Sequence, residues 1–487
     1  MTSALYLIAI ALTIISWLIP FVMLFIVPAN RKPSSATAWL LLIFALPWLG
    51  LIVFLLIGSP KLSARRRALQ REINSYITQF IAEARADPRA RMLLAPPVAQ
   101  RYQPFVNLSS ALGALPALAD NGVEILTDYD DILARIAADI DGARRFVHVQ
   151  FYILIADEAT EACFQAMERA VARGIAVRVL YDPVGSRKYP PYRATLRRMQ
   201  AAGISAYPML PLYRLDDVNR PDLRNHRKIV VIDGEVAYTG SFNLIDRRYH
   251  RRDAIQYDEL MARVCGPAAD ALDAVFRADW FSETGERLSQ SDDPALAITF
   301  TPGGTSLCQV LPSGSGFERE NNLRLFVDLI HASRHKLVIC NPYFVPDEAL
   351  MMAVVSSALR GVDVTIYNSE AQDQFLVAYA QRSYYEELLR AGVKIRLYRA
   401  PTLLHTKTIS IDDDIAVIGS SNMDMRSFEL NLEVTLLCYD PNVVADLRQA
   451  EASYHARSRS IELDSWLQRP LHNRLFENLT RLMSALL

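Results

Sequence analysis

His226-Arg-Lys228-Ile-Val-Val-Ile-Asp233, followed by Gly240-Ser241-Phe-Asn243, has a second copy in the same chain: His405-Thr-Lys407-Thr-Ile-Ser-Ile-Asp412, followed by Gly419-Ser420-Ser421-Asn422. Both fit H-x-K-x4-D-x6-G-S-x-N without a gap, in a chain of 487 residues with only 8 histidines. The runs after the histidines, Ile229 to Ile232 and Thr408 to Ile411, read as buried strands. Histidine and lysine two positions apart then share a strand face and can meet one ligand. Asp233-Gly234 and the aspartates 412 to 414 read as turns, after which a second apolar run leads to Gly-Ser-x-Asn. Glycine lets backbone approach a ligand, and Ser and Asn supply neutral hydrogen bonds. Two His, two Lys and two Asn on one point suit a tetrahedral phosphate.

Around the motif the whole surrounding sequence repeats. Asp130 to Ala143 reads as a helix leading into the strand Phe146 to Ile153; its counterpart is Asn321 to Ser333 leading into Lys336 to Phe344. Arg173-Gly174 matches Arg360-Gly361, and Ala202-Gly203 matches Ala391-Gly392, each glycine closing a helix before an apolar strand. Helix and strand alternate through each half and end on the motif hairpin. This predicts an α/β fold of two tandem half-domains with mixed sheets flanked by helices, residues 119–290 and 305–487, with the active site between them. A polar insertion, residues 211 to 225, enters the first histidine, and a Ser-, Gly- and Pro-rich linker is expected from Ser289 to Pro312.

A net charge of -1 excludes a polycation that would coat nucleic acid. The mean hydropathy of +0.10 has its excess at the front. No charged residue occurs from Met1 to Asn30, nor from Ala36 to Ser59, and each stretch is long enough for a bilayer core of about 30 Å. Residues 1–60 are therefore expected to form two transmembrane helices, and residues 61–118 a basic juxtamembrane helix and linker. Lys61, Arg65, Arg66, Arg67 and Arg71 favour a cytoplasmic catalytic part, with the N-terminus on the same side. The five cysteines (163, 265, 308, 340, 438) lack a C-x-x-C pair and suit a reducing compartment. Leu471, Leu475, Leu479, Leu482 and Leu486 recur at helical spacing and are expected to pack on the domain.

The duplicated motif resembles the signature of the phospholipase D superfamily. Asn341-Pro-Tyr-Phe-Val-Pro346, Gly240 to Asn243, Asn422-Met-Asp-Met-Arg-Ser427 and the apolar N-terminus resemble bacterial cardiolipin synthases within it. No His/Cys/carboxylate cluster has metal-ligand spacing, so neither a metal nor another cofactor is expected, and covalent catalysis can divide one hard step into two. The resemblance implies His226 as nucleophile and His405 as acid/base; spacing alone does not distinguish them. It implies Lys228, Lys407, Asn243, Asn422, Ser241 and Ser421 around the phosphoryl oxygens, and Glu433 and Glu259 as orienting carboxylates. Asp233 and Asp412 belong to the family motif, while their place at the hairpin turn reads as structural. Arg247, Arg248, Arg251 and Arg252, with Arg426 in the second half, suit a second anionic head group. The implied reaction joins two phosphatidylglycerols into cardiolipin and releases glycerol, at a bacterial inner membrane, with phospholipids and not nucleic acid as partners. A phospholipase D-type lipid hydrolase is the alternative.

Overall fold

The computed structural model describes residues 2–29, 33–58, 68, 72, 94, 96–212, 221–249, 255–289, 293–298, 300–317, 319–482 and 484. The basic residues Arg31, Lys32, Lys61, Arg65, Arg66, Arg67 and Arg71, most of the insertion at 213–220, His250, Arg251, Arg252 and Leu486 lie outside the described residues.

A helix at Gln103–Gly113, whose Phe105, Val106 and Leu112 join the core of the second half, precedes the first half, which supplies strands β1 (Ala117–Leu126), β2 (Phe146–Phe151), β3 (Ala176–Tyr181), β4 (Ser205–Pro208), β5 (Ile229–Ile232), β6 (Val236–Gly240), β7 (Gln256–Asp258) and β8 (Met261–Cys265). The second supplies β9 (Ser306–Ser313), β10 (Lys336–Cys340), β11 (Asp363–Ser369), β12 (Lys394–Tyr398), β13 (Thr402–Leu404), β14 (Thr408–Ile411), β15 (Ile415–Gly419), β16 (Glu433–Tyr439) and β17 (Ser458–Ser460). Local chemistry explains the helices between them. Tyr129–Asp141 buries Tyr129, Ile132, Leu133, Ile136, Ala137 and Ile140 on one face, and the Asp128 carboxylate caps its first turn by accepting from the amides of Asp130 and Asp131. Helices Glu161–Ala172 and Glu348–Leu359 end alike: the amides of Gly174 and Ile175, and of Gly361 and Val362, bond back into the last turn, with the two glycines at φ 83° and 93°.

The halves do not keep separate sheets. Fifteen strands form one mixed sheet in the order β17-β12-β11-β10-β14-β15-β16-β9-β1-β8-β6-β5-β2-β3-β4. The seam is the antiparallel pair β1/β9, with Ala117 opposite Gln309 and Leu118 opposite Cys308. Residues 306–312, expected in the linker, are thus a strand at the middle of the molecule. On either side the order mirrors itself: β2-β3-β4 and β10-β11-β12 are parallel, and each motif hairpin (β5/β6, β14/β15) runs antiparallel beside them. The cysteines are free thiols, with Cys308 and Cys438 facing each other across β9 and β16.

The two ends of the chain also differ from expectation. At the front, helix α1 (Thr2–Ile26) contains Tyr6–Ile26, among the described residues the one helix long and apolar enough to cross a membrane. The second apolar stretch is two short helices, α2 (Pro33–Ala45) and α3 (Pro47–Ile57), broken at Leu46 (φ -139°, ψ 77°) before the helix-starting Pro47. At the other end, helix Leu471–Arg481 packs on helix Phe375–Ser383 through Phe476, whose ring lies 4.7 Å from that of Tyr379. Leu471, Leu475, Leu479 and Leu482 are exposed, so the leucine face expected to pack on the domain points away from it.

Candidate active site

Each motif histidine sits where the chain enters a hairpin strand, and each entry is tied to the opposite half. Asn225 forms a parallel bridge with Leu432, and the amide of His226 donates to the Leu432 carbonyl at 2.8 Å. Symmetrically, β13 pairs in parallel with β7, and the amide of His405 donates to the Asp258 carbonyl at 2.8 Å. The residues that follow, Glu433 and Glu259, are thereby delivered to the histidines. Nδ1 of His226 lies 3.0 Å from both Glu433 oxygens and 3.0 Å from the Ser420 carbonyl. Nδ1 of His405 lies 2.8 and 3.0 Å from the Glu259 oxygens. The carboxylate beside each histidine therefore comes from the other half. A hydrogen bond to Nδ1 fixes the ring and leaves Nε2 as its reactive nitrogen.

The lysines lie beside the histidines. Lys228 Nζ donates to the His226 carbonyl at 2.7 Å and Lys407 Nζ to the His405 carbonyl at 2.6 Å; both side chains are buried. Burial lowers Lys228 to about 7 and Lys407 to about 8, against the attraction of Glu433 and Glu259. Burial also pushes Glu259 up to about 7. His226 is lowered by burial, opposed by Glu433; His405 is held well below its ordinary value by burial and then by the charges of Lys407 and Lys228. Each set thus feels the other's charge: the two motifs converge on one pocket of buried, mutually coupled groups. Burial drives every one of these groups toward its neutral form, so an arriving anion meets a site that can gain positive charge.

The remaining motif residues divide by position. Asn243 is buried, accepting from the Ile153 amide at 3.3 Å and donating to the Tyr249 hydroxyl at 3.4 Å. Among the described residues, the buried Asn422 Oδ1 has no hydrogen-bond partner. Ser241 bonds both the carbonyl (3.2 Å) and the amide (2.9 Å) of Leu260, and Ser420 donates to Glu433 at 2.5 Å, so these two hydroxyls brace the segments carrying the glutamates. Ser421 turns onto the Asn422 carbonyl at 3.0 Å. The glycines do not make room for a ligand: a Cβ on Gly240 would stand 2.3 Å from the Leu260 carbonyl oxygen, and one on Gly419 2.8 Å from that of Val434. They permit close approach of the neighbouring strand. Asp233 and Asp412 stand at the far ends of β5 and β14. Asp233 accepts from the amides of Arg144, Arg145 and Phe146 (2.9, 2.7 and 3.0 Å), and Asp412 from those of Arg334, His335 and Lys336. Both anchor the start of the adjoining strand.

Of the arginines, Arg247 pairs with Asp258 at 2.8 Å, one residue from Glu259, and Arg248 folds back on Asp246. Arg426, four residues after Asn422 as Arg247 is after Asn243, reaches the Asp222 carbonyl at 3.4 Å in the segment leading to His226. An aromatic wall was missed in the sequence. Tyr152 stands edge-on to His226 with centroids 5.2 Å apart, Tyr257 and Tyr343 flank His405 at 5.5 and 6.2 Å, and Tyr249 stacks on Tyr257 at 4.0 Å. Asp373 accepts from the Tyr343 and Tyr257 hydroxyls at 2.6 and 3.2 Å. Tyr343 lies inside a stretch that resembles the family; nothing in the sequence marks Asp373.

Paired histidines, lysines and carboxylates contributed reciprocally by two sheet halves define a two-part phospholipase D-like domain. Residues 136–280 and 326–452 match the family described as cardiolipin synthase, PLD-like domain. The chain is 34% identical to cardiolipin synthase A of Proteus mirabilis (strain HI4320) over 98% of its own length and 99% of that protein's. It is 35% identical to cardiolipin synthase A of Yersinia pseudotuberculosis serotype O:1b (strain IP 31758), over 98% and 99%. The crystal structure of a phosphatidylserine synthase from Haemophilus influenzae Rd KW20 shares the fold, with a TM-score of 0.60 at 17% identity, covering 79% of this chain and all of that one. The chain belongs to the cardiolipin synthase family, and it is a phosphatidyltransferase.

Proposed function

We propose that this enzyme joins two phosphatidylglycerol molecules into cardiolipin and glycerol through a phosphohistidine. The observation that carries the reading is the reciprocal clamp, in which each buried histidine has Nδ1 on a carboxylate of the opposite half. Nε2 of His226 attacks the donor phosphorus, and the bond from phosphorus to the head-group glycerol oxygen breaks. His405, protonated on Nε2 once the bound phosphodiester anion offsets the burial that disfavours its charge, gives that oxygen its proton, and glycerol leaves. The acceptor's terminal hydroxyl then gives its proton back to His405 and attacks phosphorus, releasing His226 and forming the second phosphodiester. Lys228, Lys407, Asn243 and Asn422 hold the charge growing on the phosphoryl oxygens. The choice of His226 as nucleophile rests on the family resemblance. Glu433 and Glu259 orient the rings and stabilise the imidazolium forms.

The reaction takes place at a bacterial inner membrane with the catalytic domain on the cytoplasmic face. The apolar helix α1 and the family support the membrane, and the basic residues from Lys61 to Arg71 support the side. The test is the purified protein given phosphatidylglycerol alone. Cardiolipin and glycerol in equal amounts are expected; phosphatidic acid as the main product would make it a lipid hydrolase.

A further inference from the structure

We propose that residues 33–57 form a re-entrant hairpin that dips into one leaflet and leaves by the same membrane face, so that α1 alone crosses. The N-terminal end of α1 then lies on the opposite side of the membrane from the catalytic domain. This inference rests on the front of the chain and is independent of the reaction.

The pairing of α2 with α3 carries it. A Cβ on Gly50 would lie 2.7 Å from the Cα of Ile43, and the rings of Trp39 and Phe54 meet edge to face at 5.4 Å. In one straight helix these pairs would stand about 10 and 22 Å apart. Both pairs are instead centred on the Leu46–Pro47 bond, the register of two arms folded back at that point. Glycine at position 50 is what allows the arms to touch. The break leaves little backbone stranded: the Leu46 amide donates to Leu42 at 2.9 Å, its carbonyl accepts from Gly50 at 2.7 Å, and Pro47 has no N–H to satisfy. Arms of 13 and 11 residues are about 20 and 17 Å long, too short for a hydrocarbon core of about 30 Å and long enough to reach its middle.

Contacts with α1 give the depth. Ile19, Met23 and Val27 are buried against Ala36, Trp39, Ile43 and Phe54, whereas α1 from Tyr6 to Ile15 keeps its apolar side chains exposed. The contact nearest the apex is Trp48 Nε1 donating to Ser16 Oγ at 2.8 Å, and Ser16 is the midpoint of the Tyr6–Ile26 span. The hairpin therefore covers one half of α1 and stops at its centre. Its outward side chains (Leu41, Phe44, Leu46, Leu49, Ile52 and Leu55) are apolar and exposed, a surface matched to acyl chains. Charge agrees. Arg31 and Lys32 lie between α1 and the hairpin, and Lys61, Arg65, Arg66, Arg67 and Arg71 follow it. Two full spans would put these groups on opposite faces; the hairpin gathers all seven on the catalytic side.

Single cysteines at Thr2→Cys, Ala29→Cys, Leu46→Cys, Leu49→Cys and Asp130→Cys in the full chain, in sealed spheroplasts and in inverted vesicles, test the topology with a membrane-impermeant maleimide. The unsubstituted chain supplies the blank for its own five cysteines. Ala29→Cys and Asp130→Cys are expected to label from the same face, Thr2→Cys from the other, and the two apex positions from neither. Labelling of Ala29→Cys on the face opposite Asp130→Cys establishes two spans and overturns the hairpin. Labelling of both apex cysteines in intact membranes means that the segment lies on the surface, and overturns it equally.

Discussion

Glu433 of the second half holds Nδ1 of His226 of the first at 3.0 Å, and Glu259 of the first holds Nδ1 of His405 of the second at 2.8 Å. Neither motif histidine takes its carboxylate from its own half. Charge-assisted hydrogen bonds of this kind contribute about 1.5–3 kcal/mol. Glu433→Gln and Glu259→Gln are each expected to slow cardiolipin formation by roughly ten- to a hundredfold. The halves made as separate chains should be inactive alone and regain turnover when mixed. Activity of either half by itself would contradict the reciprocal arrangement.

Removing either histidine should abolish turnover. For His226→Ala and His405→Ala the rate of cardiolipin formation is expected to fall by at least about a thousandfold, and the double variant to lose little more, because groups acting as a unit are not additive. Initial rates of the three variants decide this. Substantial turnover by either single variant rules out the paired-histidine mechanism.

The pH profile follows from burial. Glu259, pushed up to about 7, must be a carboxylate to hold the His405 imidazolium, so activity rises as pH approaches 7. Lys228 and Lys407, lowered to about 7 and about 8, bind a phosphodiester anion best when protonated, so kcat/KM falls as pH climbs through that range. The expected profile is a narrow bell near neutrality, its alkaline limb far below the ordinary lysine value. Lys228→Arg, which stays charged, should carry the alkaline limb upward while lowering the maximum. A profile flat to pH 10 would remove the lysines from anion binding.

Asp233 and Asp412 bind backbone amides, and both have positive φ, 58° and 49°. Asp233→Ala would strand three amides and place a Cβ-bearing residue without local hydrogen bonds in the left-handed region, a destabilisation of about 2–4 kcal/mol. A clear fall in Tm is expected, with kcat of the folded fraction within about threefold of the unsubstituted enzyme. An unchanged Tm with kcat lost would make the aspartate part of the chemistry.

These residues also show what a linear sequence can carry. The H-x-K spacing, the hairpin turns and the helix-ending glycines are local, and each was legible because a few neighbouring residues fix it. The convergence of the motifs was legible because two copies of an incomplete site have to meet. The family resemblance named Glu433 and Glu259, but which histidine each serves was not legible, since it depends on how Leu432 and Asp258 dock across the halves. Strand β9 was hidden because residues 306–313 are buried almost throughout, which removes alternation, and include a proline. The apolar run 36–59 reads as one span until Gly50 is seen against Ile43. The leucine spacing near the C-terminus predicted a helix correctly, but periodicity does not say which face is covered.

The last prediction separates transfer from hydrolysis. Exchange of one primary-alcohol phosphodiester for another conserves bond types, so the equilibrium constant should lie near one, within roughly the tenfold that 1.4 kcal/mol represents. Hydrolysis in water runs essentially one way. At the phosphohistidine stage the site must therefore favour a lipid hydroxyl over water, and a group that holds the acceptor's phosphate raises that hydroxyl's effective concentration. Arg247 is placed for this: it is half-buried, fixed by Asp258 one residue from the glutamate that orients His405, and related to Arg426 by the repeat. Excess glycerol added to enzyme and cardiolipin should regenerate phosphatidylglycerol. Arg247→Gln, alone or with Arg248, Arg251 and Arg252 replaced by Gln, should lower the rate of transfer and raise the share of phosphatidic acid. Product ratios measured with labelled lipid check both. If glycerol returns no phosphatidylglycerol while phosphatidic acid dominates in the unsubstituted protein, water is the natural acceptor and Arg247 serves only to brace Asp258.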